Sequence, residues 1–345
     1  MVLPTTRSAT SVYLSNGADL VAIWQAHRLT PTDQVDRGPG LTALHYLGGR
    51  ASNWPVNHIL AHTGAFRDES LPQLYTDPAR FDADAWLENA PDCAGALTTR
   101  YTRYRDTPVQ PRTIERSHVA VPGQPFLVIR YRVTNSTTDN FTWSVLDQLR
   151  LNNIGDHDPA QDTHAWYDDA RNVLVADMSA SGQYFITLGA FGAMDGHQVG
   201  DDAEADPTVA TVAGGVAFAR DGTLPGNADV RAATVNLSCC SRLTIAAGQT
   251  ASVDFFLIVQ PTLDTALTTA DTVRAETAQH WCDVAATAHV AWLDNGGKGR
   301  RSSLTRPGRS TRRHPRPPIR PPEPATMLSI YPAHPSSHQK NQGDT

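Results

Sequence analysis

The stretch 115–153 constrains the fold most, because its apolar residues recur at every second position. This alternation runs through 119–121, pauses at the turn Pro122-Gly123-Gln124 and resumes over 127–133. A period of two is typical of strands with one buried face, and a proline–glycine turn between two such runs predicts a hairpin. A third alternating run follows at 141–145. We therefore expect three successive antiparallel strands, which are enough to begin one sheet of a large β-sandwich.

Similar alternation occupies most of the chain on either side. Ser11–His27 alternates around Asn16-Gly17, a dipeptide that favours a two-residue hairpin turn. The turn Ala247-Gly248-Gln249 is predicted to join another strand pair, whereas Phe81–Asn89 is predicted to be a short helix. Further alternating runs occur at 165–191, 208–219 and 231–260. Within the first of them, Asp168-Asp169-Ala170-Arg171 is predicted to form the turn of a hairpin. About a dozen strands in all predict a mainly β fold, a two-sheet antiparallel β-supersandwich.

The pattern changes after the last predicted strand. Residues 262–295 are rich in alanine, and their larger apolar residues recur every three to five positions, which predicts one amphipathic helix or two. Thr262 or Thr265 can cap its start, and Gly296-Gly297 can end it. Residues 299–324 contain eight arginines and seven prolines, a composition typical of disorder. We therefore divide the chain into a sandwich domain, a helical linker and a basic tail, at 1–260, 261–297 and 298–345.

Charge is distributed unevenly along the chain. The tail, 298–345, holds ten of the 29 basic residues and two of the 35 acidic ones, so the body carries a net charge of −14 and the tail +8. An acidic body argues against a specific nucleic-acid partner. The sequence contains no apolar run of the ~20 residues that span a membrane, and no recognisable signal peptide. We expect a cytoplasmic protein with no membrane partner, or a secreted one if the natural N-terminus lies upstream.

The sequence predicts no metal or cofactor site. The four cysteines, Cys93, Cys239, Cys240 and Cys282, lack metal-type spacing, and we expect free core thiols rather than ligands or a disulfide framework. A cluster of acidic residues and histidines between Asp156 and His164 matches neither a calcium loop nor a zinc pattern. We interpret that cluster as a solvated turn.

Three strand segments and the last predicted helix together resemble a known protein family. The strand pair 119–135, the run 166–191, the pair 235–260 and the helix AETAQHWCDVAATAHVAWLDNG look like the N-terminal region of bacterial-type family-15 glycoside hydrolases, the glucoamylase and glucodextranase relatives. The resemblance implies a galactose-mutarotase-like supersandwich, joined by a linker helix to an (α/α)6 catalytic barrel that acts on an α-glucan.

The resemblance assigns no catalytic residue to this sequence. In that family two glutamates of the barrel act as general acid and general base, and no barrel follows Trp292-Leu293 here. We expect a truncated, non-catalytic domain. Its Arg/Pro tail is either a genuine disordered segment or the product of a shifted reading frame or a mis-called exon boundary in a GC-rich gene. Trp143, Trp281 and Trp292 lie on apolar faces, which favours core positions for them. For a sandwich that lacks its barrel we also expect exposed apolar surface along the last helix, where Trp281 and Trp292 would meet the barrel, and a tendency to aggregate.

Two other functions remain open. The chain could be a stand-alone carbohydrate-binding protein, with Trp54 and Trp86 as candidate sugar-stacking residues in the loop-rich region. It could instead be a mutarotase-like epimerase that uses Glu115 and His118 as its acid–base pair. Because these two residues lie three apart on a predicted strand, their side chains are expected to point to opposite sides of the sheet.

Overall fold

A computed structural model describes most of the first 294 residues. They are residues 11–16, 20–25, 40–46, 57–69, 75–76, 81–90, 93–104, 112–152, 159–181, 184–201, 218 and 222–294. The chain divides into two units, Met1–Gly299 and Arg300–Thr345, and every described residue belongs to the first. The predicted basic tail, 298–345, lies outside the described residues.

Strands dominate the described part. In chain order they are β1 (Ser11–Ser15), β2 (Leu20–Gln25), β3 (Gly40–Tyr46), β4 (Ile59–Asp68), β5 (Tyr75–Thr76), β6 (Phe81–Ala90), β7 (Cys93–Tyr104), β8 (Arg112–Ala120), β9 (Phe126–Asn135), β10 (Phe141–Leu151), β11 (Thr163–Asp168), β12 (Val173–Asp177), β13 (Phe185–Ala190), β14 (Gly196–Asp201), β15 (Asp229–Ala232), β16 (Val235–Ile245) and β17 (Thr250–Gln260). Two helices follow, α1 (Leu263–Arg274) and α2 (Ala278–Asp294).

The described strands form two antiparallel sheets. One has eight strands in the order β1-β2-β3-β4-β10-β16-β14, with β5 on β4, and the other has nine in the order β15-β11-β12-β13-β17-β9-β8-β7-β6. Large apolar side chains from both sheets, among them Phe66, Tyr131, Trp143 and Phe255, fill the space between them and are almost fully buried. The predicted two-sheet antiparallel sandwich is therefore confirmed.

Three of the predicted hairpins are confirmed. β1 pairs with β2, and Asn16 directly follows β1. β8 pairs with β9 across the turn that contains Gly123, and β11 pairs with β12 across the turn that contains Asn172. Gly123 has φ +71°, a backbone conformation that costs glycine little. The buried side chain of Asn16 also donates to Gln124 O at 2.8 Å. This bond ties the first hairpin to the β8–β9 turn at one end of the sandwich.

Two predicted strand pairings are wrong, because the chain changes sheets at both places. β9 and β10 lie in different sheets, and so do β16 and β17. Asn135 holds the two crossings together: its side-chain amide donates to Ala246 O at 3.1 Å, and its backbone N–H donates to Gln249 O at 2.8 Å. Alternation marks the buried face of a strand but does not say which sheet the strand joins.

The helix predicted at Phe81–Asn89 is also wrong. This segment is β6, an edge strand paired antiparallel with β7. Phe81, Ala83, Ala85 and Leu87 recur at every second position and alternate with acidic residues at 82, 84 and 88, a period of two that agrees with a strand better than with a helix. At an edge, pairing on one side is enough to hold the strand.

The C-terminal linker is two helices that pack on the outer face of the nine-stranded sheet. Thr262 caps α1 in a reciprocal arrangement with Thr265, as predicted. Trp281 is only 8% exposed, lies edge-on to Phe126 at 5.1 Å between ring centroids, and donates its indole N–H to Val273 O. The core position predicted for Trp281 is therefore confirmed. The expectation that it forms an exposed surface for a missing barrel is wrong, because the sandwich itself covers it. The side chain of Trp292 lies outside the described residues, as do Gly296 and Gly297.

The cysteines divide into two kinds. Cys239 and Cys240, next to each other on β16, are free and buried, as expected. Cys282 on α2 is disulfide-bonded, which contradicts the expectation of a free thiol. Spacing along a sequence does not reveal which cysteines a fold brings within bonding distance. In the described part of the chain, neither helix combines the length and apolar character needed to cross a membrane.

Candidate functional site

A cluster of polar side chains lies between the two sheets, where an apolar core is expected. The eight-stranded sheet contributes His62 from β4 and Asp147 from β10, and the nine-stranded sheet contributes Arg116 and His118 from β8 and Tyr131 from β9. Each follows the alternation of its strand: Asp147, for example, continues the inward-facing series of Trp143 and Val145. We call these five residues the inter-sheet cluster.

Asp147 is the centre of the inter-sheet cluster. One of its carboxylate oxygens, Oδ2, lies 2.8 Å from Nε2 of His62 in the same sheet. The other, Oδ1, accepts a short hydrogen bond from the Tyr131 hydroxyl in the opposite sheet. Arg116 in turn donates from Nη1 to the Tyr131 hydroxyl at 3.5 Å. The chain of polar contacts thus crosses from one sheet to the other at the Tyr131–Asp147 bond.

Gly64 makes this crossing possible. It lies on β4 two residues after His62, and a Cβ built on it would be 2.1 Å from the Tyr131 hydroxyl oxygen. Heavy atoms do not approach so closely without a bond, so any side chain here would displace the tyrosine. The absence of a Cβ at Gly64 therefore allows the hydroxyl to reach Asp147.

His118 is a neutral member of the cluster. Its ring meets that of His62 edge to face, with centroids 5.6 Å apart. Burial, the Arg116 guanidinium and the neighbouring His62 together hold the pKa of His118 well below the ordinary value. Among the described residues neither of its ring nitrogens has a hydrogen-bond partner. Burial and the nearby Asp147 carboxylate also raise the pKa of Cys239, so this thiol stays protonated.

Carboxylate, histidine and tyrosine side chains serve as general acids and bases in enzymes, but in the described structure a substrate does not reach those of the inter-sheet cluster. His62, Arg116, His118, Tyr131 and Asp147 are each 0% exposed. A general acid or base must come within hydrogen-bond reach of the proton that it transfers. In the described structure the inter-sheet cluster therefore links the two sheets and is closed to a sugar.

Glu115 and His118 do not form a pair. Glu115 points to the outer side of the sheet, where it lies 3.4 Å from Nη1 of Arg132, whereas His118 points into the interior. Their strand separation places them on opposite faces, as predicted. The other candidate residues remain predictions: Trp54 lies outside the described residues, and Trp86 is on β6 opposite Thr98, with its side chain outside the description.

The predicted solvated turn between Asp156 and His164 is partly described. His164 lies on β11 with Nε2 3.0 Å from the Asp229 carboxylate, an exposed pair. Residues 153–158, which include most of the acidic cluster, lie outside the described part. Within that part, no group of three or more His, Cys, Asp or Glu side chains is arranged to hold a metal ion.

A second feature is an open groove of about 740 Å³ on the outer face of the nine-stranded sheet. It lies where the junction between α1 and α2 meets β9 and β17, and Arg130, Phe191, Ser252, Asp254 and Gln279 contribute to its lining. Sequence reasoning identified neither the groove nor the inter-sheet cluster. A sign of the cluster was present at Asp147, which continues the apolar series of Trp143 and Val145. Arg116 and His118 gave no such sign, because they alternate with Val119 and Val121, the apolar positions recognised in that strand.

Comparison with known proteins gives a structural match without a sequence match. No protein-family model and no curated protein matches the sequence. A bacterial glucoamylase complexed with acarbose is similar with a TM-score of 0.50 and 8% identity, over 79% of this chain and 36% of that one. A candidate kojibiose phosphorylase from the human microbiome has a TM-score of 0.47 and 10% identity, over 81% of this chain and 35% of that one. A galactose mutarotase-like protein from Lactobacillus casei has a TM-score of 0.41 and 10% identity, over 72% of this chain and 100% of that one.

The likeness to the glucoamylase shows a shared fold. The chain spans about a third of the length of that enzyme. This sandwich with its C-terminal helices is thus a fold found in carbohydrate-active enzymes, and the resemblance seen in the sequence is supported at that level.

Proposed function

We propose that this chain is the non-catalytic β-supersandwich domain of a glucoamylase- or glucodextranase-like α-glucan hydrolase, with a structural or sugar-contacting role. The shared fold with part of a bacterial glucoamylase supports this assignment. In this proposal an (α/α)6 barrel supplies the chemistry as the partner domain. The division into a sandwich (1–260), a helical linker (261–297) and a basic tail (298–345) is part of the same proposal.

The observation that carries the non-catalytic role is the complete burial of the inter-sheet cluster. Glycoside hydrolysis uses two carboxyl groups that flank the scissile bond, about 5–10 Å apart, with access for water or a sugar. Asp147 is instead held by His62 and Tyr131 and is 0% exposed. A carboxylate used in this way stabilises the sandwich and is not available to a glycosidic oxygen.

Affinity electrophoresis in starch and dextran gels tests the glucan class. A sugar-contacting domain is expected to migrate more slowly in a glucan gel than in a plain gel, relative to a non-binding protein of similar size and charge. A purely structural domain is expected to show no retardation. Unretarded migration combined with hydrolysis of a non-glucan polysaccharide would overturn the proposal.

A stand-alone carbohydrate-binding protein is the second candidate, and the groove beside the α1–α2 junction favours it. The epimerase alternative is weaker, because Glu115 and His118 project to opposite faces of β8. Polarimetry of freshly dissolved α-glucose separates these candidates: a binding protein leaves the rate of anomer interconversion at its buffer value. Acceleration that is lost in both Glu115→Gln and His118→Ala would support the epimerase.

Cellular location remains a proposal as well. Of the two locations expected from the sequence, the disulfide at Cys282 favours the secreted one, since disulfides persist in oxidising compartments and are rare in the cytoplasm. Fractionation of the native host, with detection by an antibody against the sandwich, tests this choice.

A further inference from the structure

The groove on the outer face of the nine-stranded sheet has the size of a ligand site. Its volume is about 740 Å³, within the range of roughly 300–1,000 Å³ that is typical of small-molecule pockets. Its lining comes from β9 and β17, from the residues that follow β13, and from the α1–α2 junction. Sheet and helices thus line it together.

The polar groups that β9, β17 and α2 contribute to the lining are held in fixed positions. Arg130 Nε donates to Asp254 Oδ1 at 2.7 Å, and Nη2 lies 3.4 Å from Oδ2, so the two planar groups meet edge to edge. Arg130 Nη1 donates to Gln279 Oε1 at 2.6 Å, and Gln279 Nε2 donates to Asp283 Oδ1 at 2.9 Å. Groups fixed before a ligand arrives lose little conformational entropy on binding.

The charges that line the groove indicate what kind of ligand it suits. Arg130 and Arg274 contribute two positive charges, and Asp254 and Glu276 contribute two negative ones. Sites for phosphate or carboxylate collect an excess of arginine or lysine, and sites for hard cations collect an excess of carboxylates. A balanced set of donors and acceptors instead suits an uncharged ligand with many hydroxyl groups.

The groove also offers an apolar surface. Phe191 is half-buried in its lining and packs edge-to-face with Phe256, with ring centroids 5.4 Å apart. The face of an aromatic ring can contact the C–H groups of a sugar, while fixed polar side chains bind the hydroxyls. Ser252, exposed on β17, adds a hydroxyl to the same surface.

We propose that this groove binds an uncharged saccharide, namely a short segment of the glucan of the parent enzyme. The glucan assignment depends on the proposed function, whereas the preference for a neutral polyhydroxy ligand comes from the lining itself. The site is separate from the inter-sheet cluster, which points to the other side of the nine-stranded sheet.

Calorimetric titration of the full chain with maltotriose and with isomaltotriose tests the proposal. At least one of the two is expected to bind in the millimolar range. Ser252→Trp fills the groove from an exposed position and is expected to weaken binding about tenfold or more. Thr250→Trp is the matched control, because Thr250 is exposed on the same face of β17 but outside the groove, and it should leave binding unchanged. Circular dichroism establishes that both variants are folded.

Three results would overturn the inference. Saccharide binding that Ser252→Trp leaves unchanged would place the sugar elsewhere while leaving the proposed function intact. No binding of either trisaccharide by the wild-type chain would remove the site, although a purely structural role would stand. Inorganic phosphate that binds in the groove and is displaced by Ser252→Trp, while neither sugar binds, would show an anion site.

Discussion

The hydroxyl of Tyr131, on the nine-stranded sheet, donates a hydrogen bond to the carboxylate of Asp147, on the eight-stranded sheet. Both residues are 0% exposed, so this bond forms in the interior and joins the two sheets through polar groups. A buried carboxylate is costly unless hydrogen bonds satisfy it. His62 and Tyr131 together provide those bonds for Asp147.

Removal of the Tyr131 hydroxyl is expected to destabilise the sandwich. Tyr131→Phe keeps the ring but takes one donor from the buried carboxylate, which costs roughly 1–3 kcal/mol of unfolding free energy. Urea denaturation followed by tryptophan fluorescence measures this loss. The control is Thr142→Val, which breaks the exposed hydrogen bond between the hydroxyls of Thr142 and Thr244. Its loss should cost less than about 1 kcal/mol of unfolding free energy. Equal losses in the two variants would contradict a special role for the buried bond.

A methyl group at Gly64 is expected to separate Tyr131 from Asp147. Gly64→Ala places a Cβ 2.1 Å from the tyrosine hydroxyl oxygen, and overpacking of a buried site typically costs about 1–3 kcal/mol. Gly192→Ala is the matched control, since a Cβ there meets no atom within 4 Å. Thermal unfolding of both variants compares them. A Gly64→Ala protein as stable as Gly192→Ala would show that the hydroxyl does not occupy this position.

The stability of the domain is expected to fall as the pH drops below the ordinary pKa of histidine. The pKa of His118 is lowered in the folded state, chiefly by burial and further by Arg116 and His62. Between that lowered pKa and the unfolded value of about 6.5, the unfolded chain binds a proton that the folded chain does not, so stability rises with pH in this window. His197, whose pKa is also lowered by burial, contributes with the same sign.

The variant His118→Phe isolates this effect. It keeps an aromatic ring in place and removes the titrating group, so its unfolding free energy should depend less on pH between about 5 and 7. Denaturation curves at a series of pH values in this range give the slope. A variant with the full wild-type slope would assign the pH dependence to other groups.

The helical linker is expected to depend on Trp281 for its position on the sheet. Trp281→Ala removes the ring that lies against Phe126 and should cost about 3–5 kcal/mol, the usual loss for a buried aromatic residue. It should also increase the binding of a hydrophobic dye, because apolar surface of the sheet becomes exposed. Val290→Ala, at a position 49% exposed, is expected to change neither property much. If Trp281→Ala bound no more dye than the wild type, the result would argue against this packing.

The hairpins could be predicted from the sequence, but the assignment of strands to sheets could not. The turn at Gly123 indicates its hairpin locally, because the residues that decide it are adjacent. The crossings at Asn135 and at 246–249 depend on hydrogen bonds between segments about a hundred residues apart. Alternation looks the same in a strand that returns to its own sheet and in one that moves to the other.

The inter-sheet cluster was beyond prediction for a similar reason. His62 and Asp147 are separated by 85 positions, and nothing local connects them. Asp147 does occupy an inward-facing position of a strongly apolar strand, and a buried acid must find partners. The sequence therefore indicates that other residues form hydrogen bonds with Asp147, but it does not identify those residues.

The most direct test of the non-catalytic assignment is glucose release from maltooligosaccharides and isomaltooligosaccharides by the purified full chain. Because the acid–base groups of the inter-sheet cluster are closed to substrate, the account predicts no glucose above the level of a buffer control. Asp147→Asn serves as the paired variant, and it should be equally inactive. Steady glucose release by the wild-type chain that disappears in a folded Asp147→Asn variant would contradict the account.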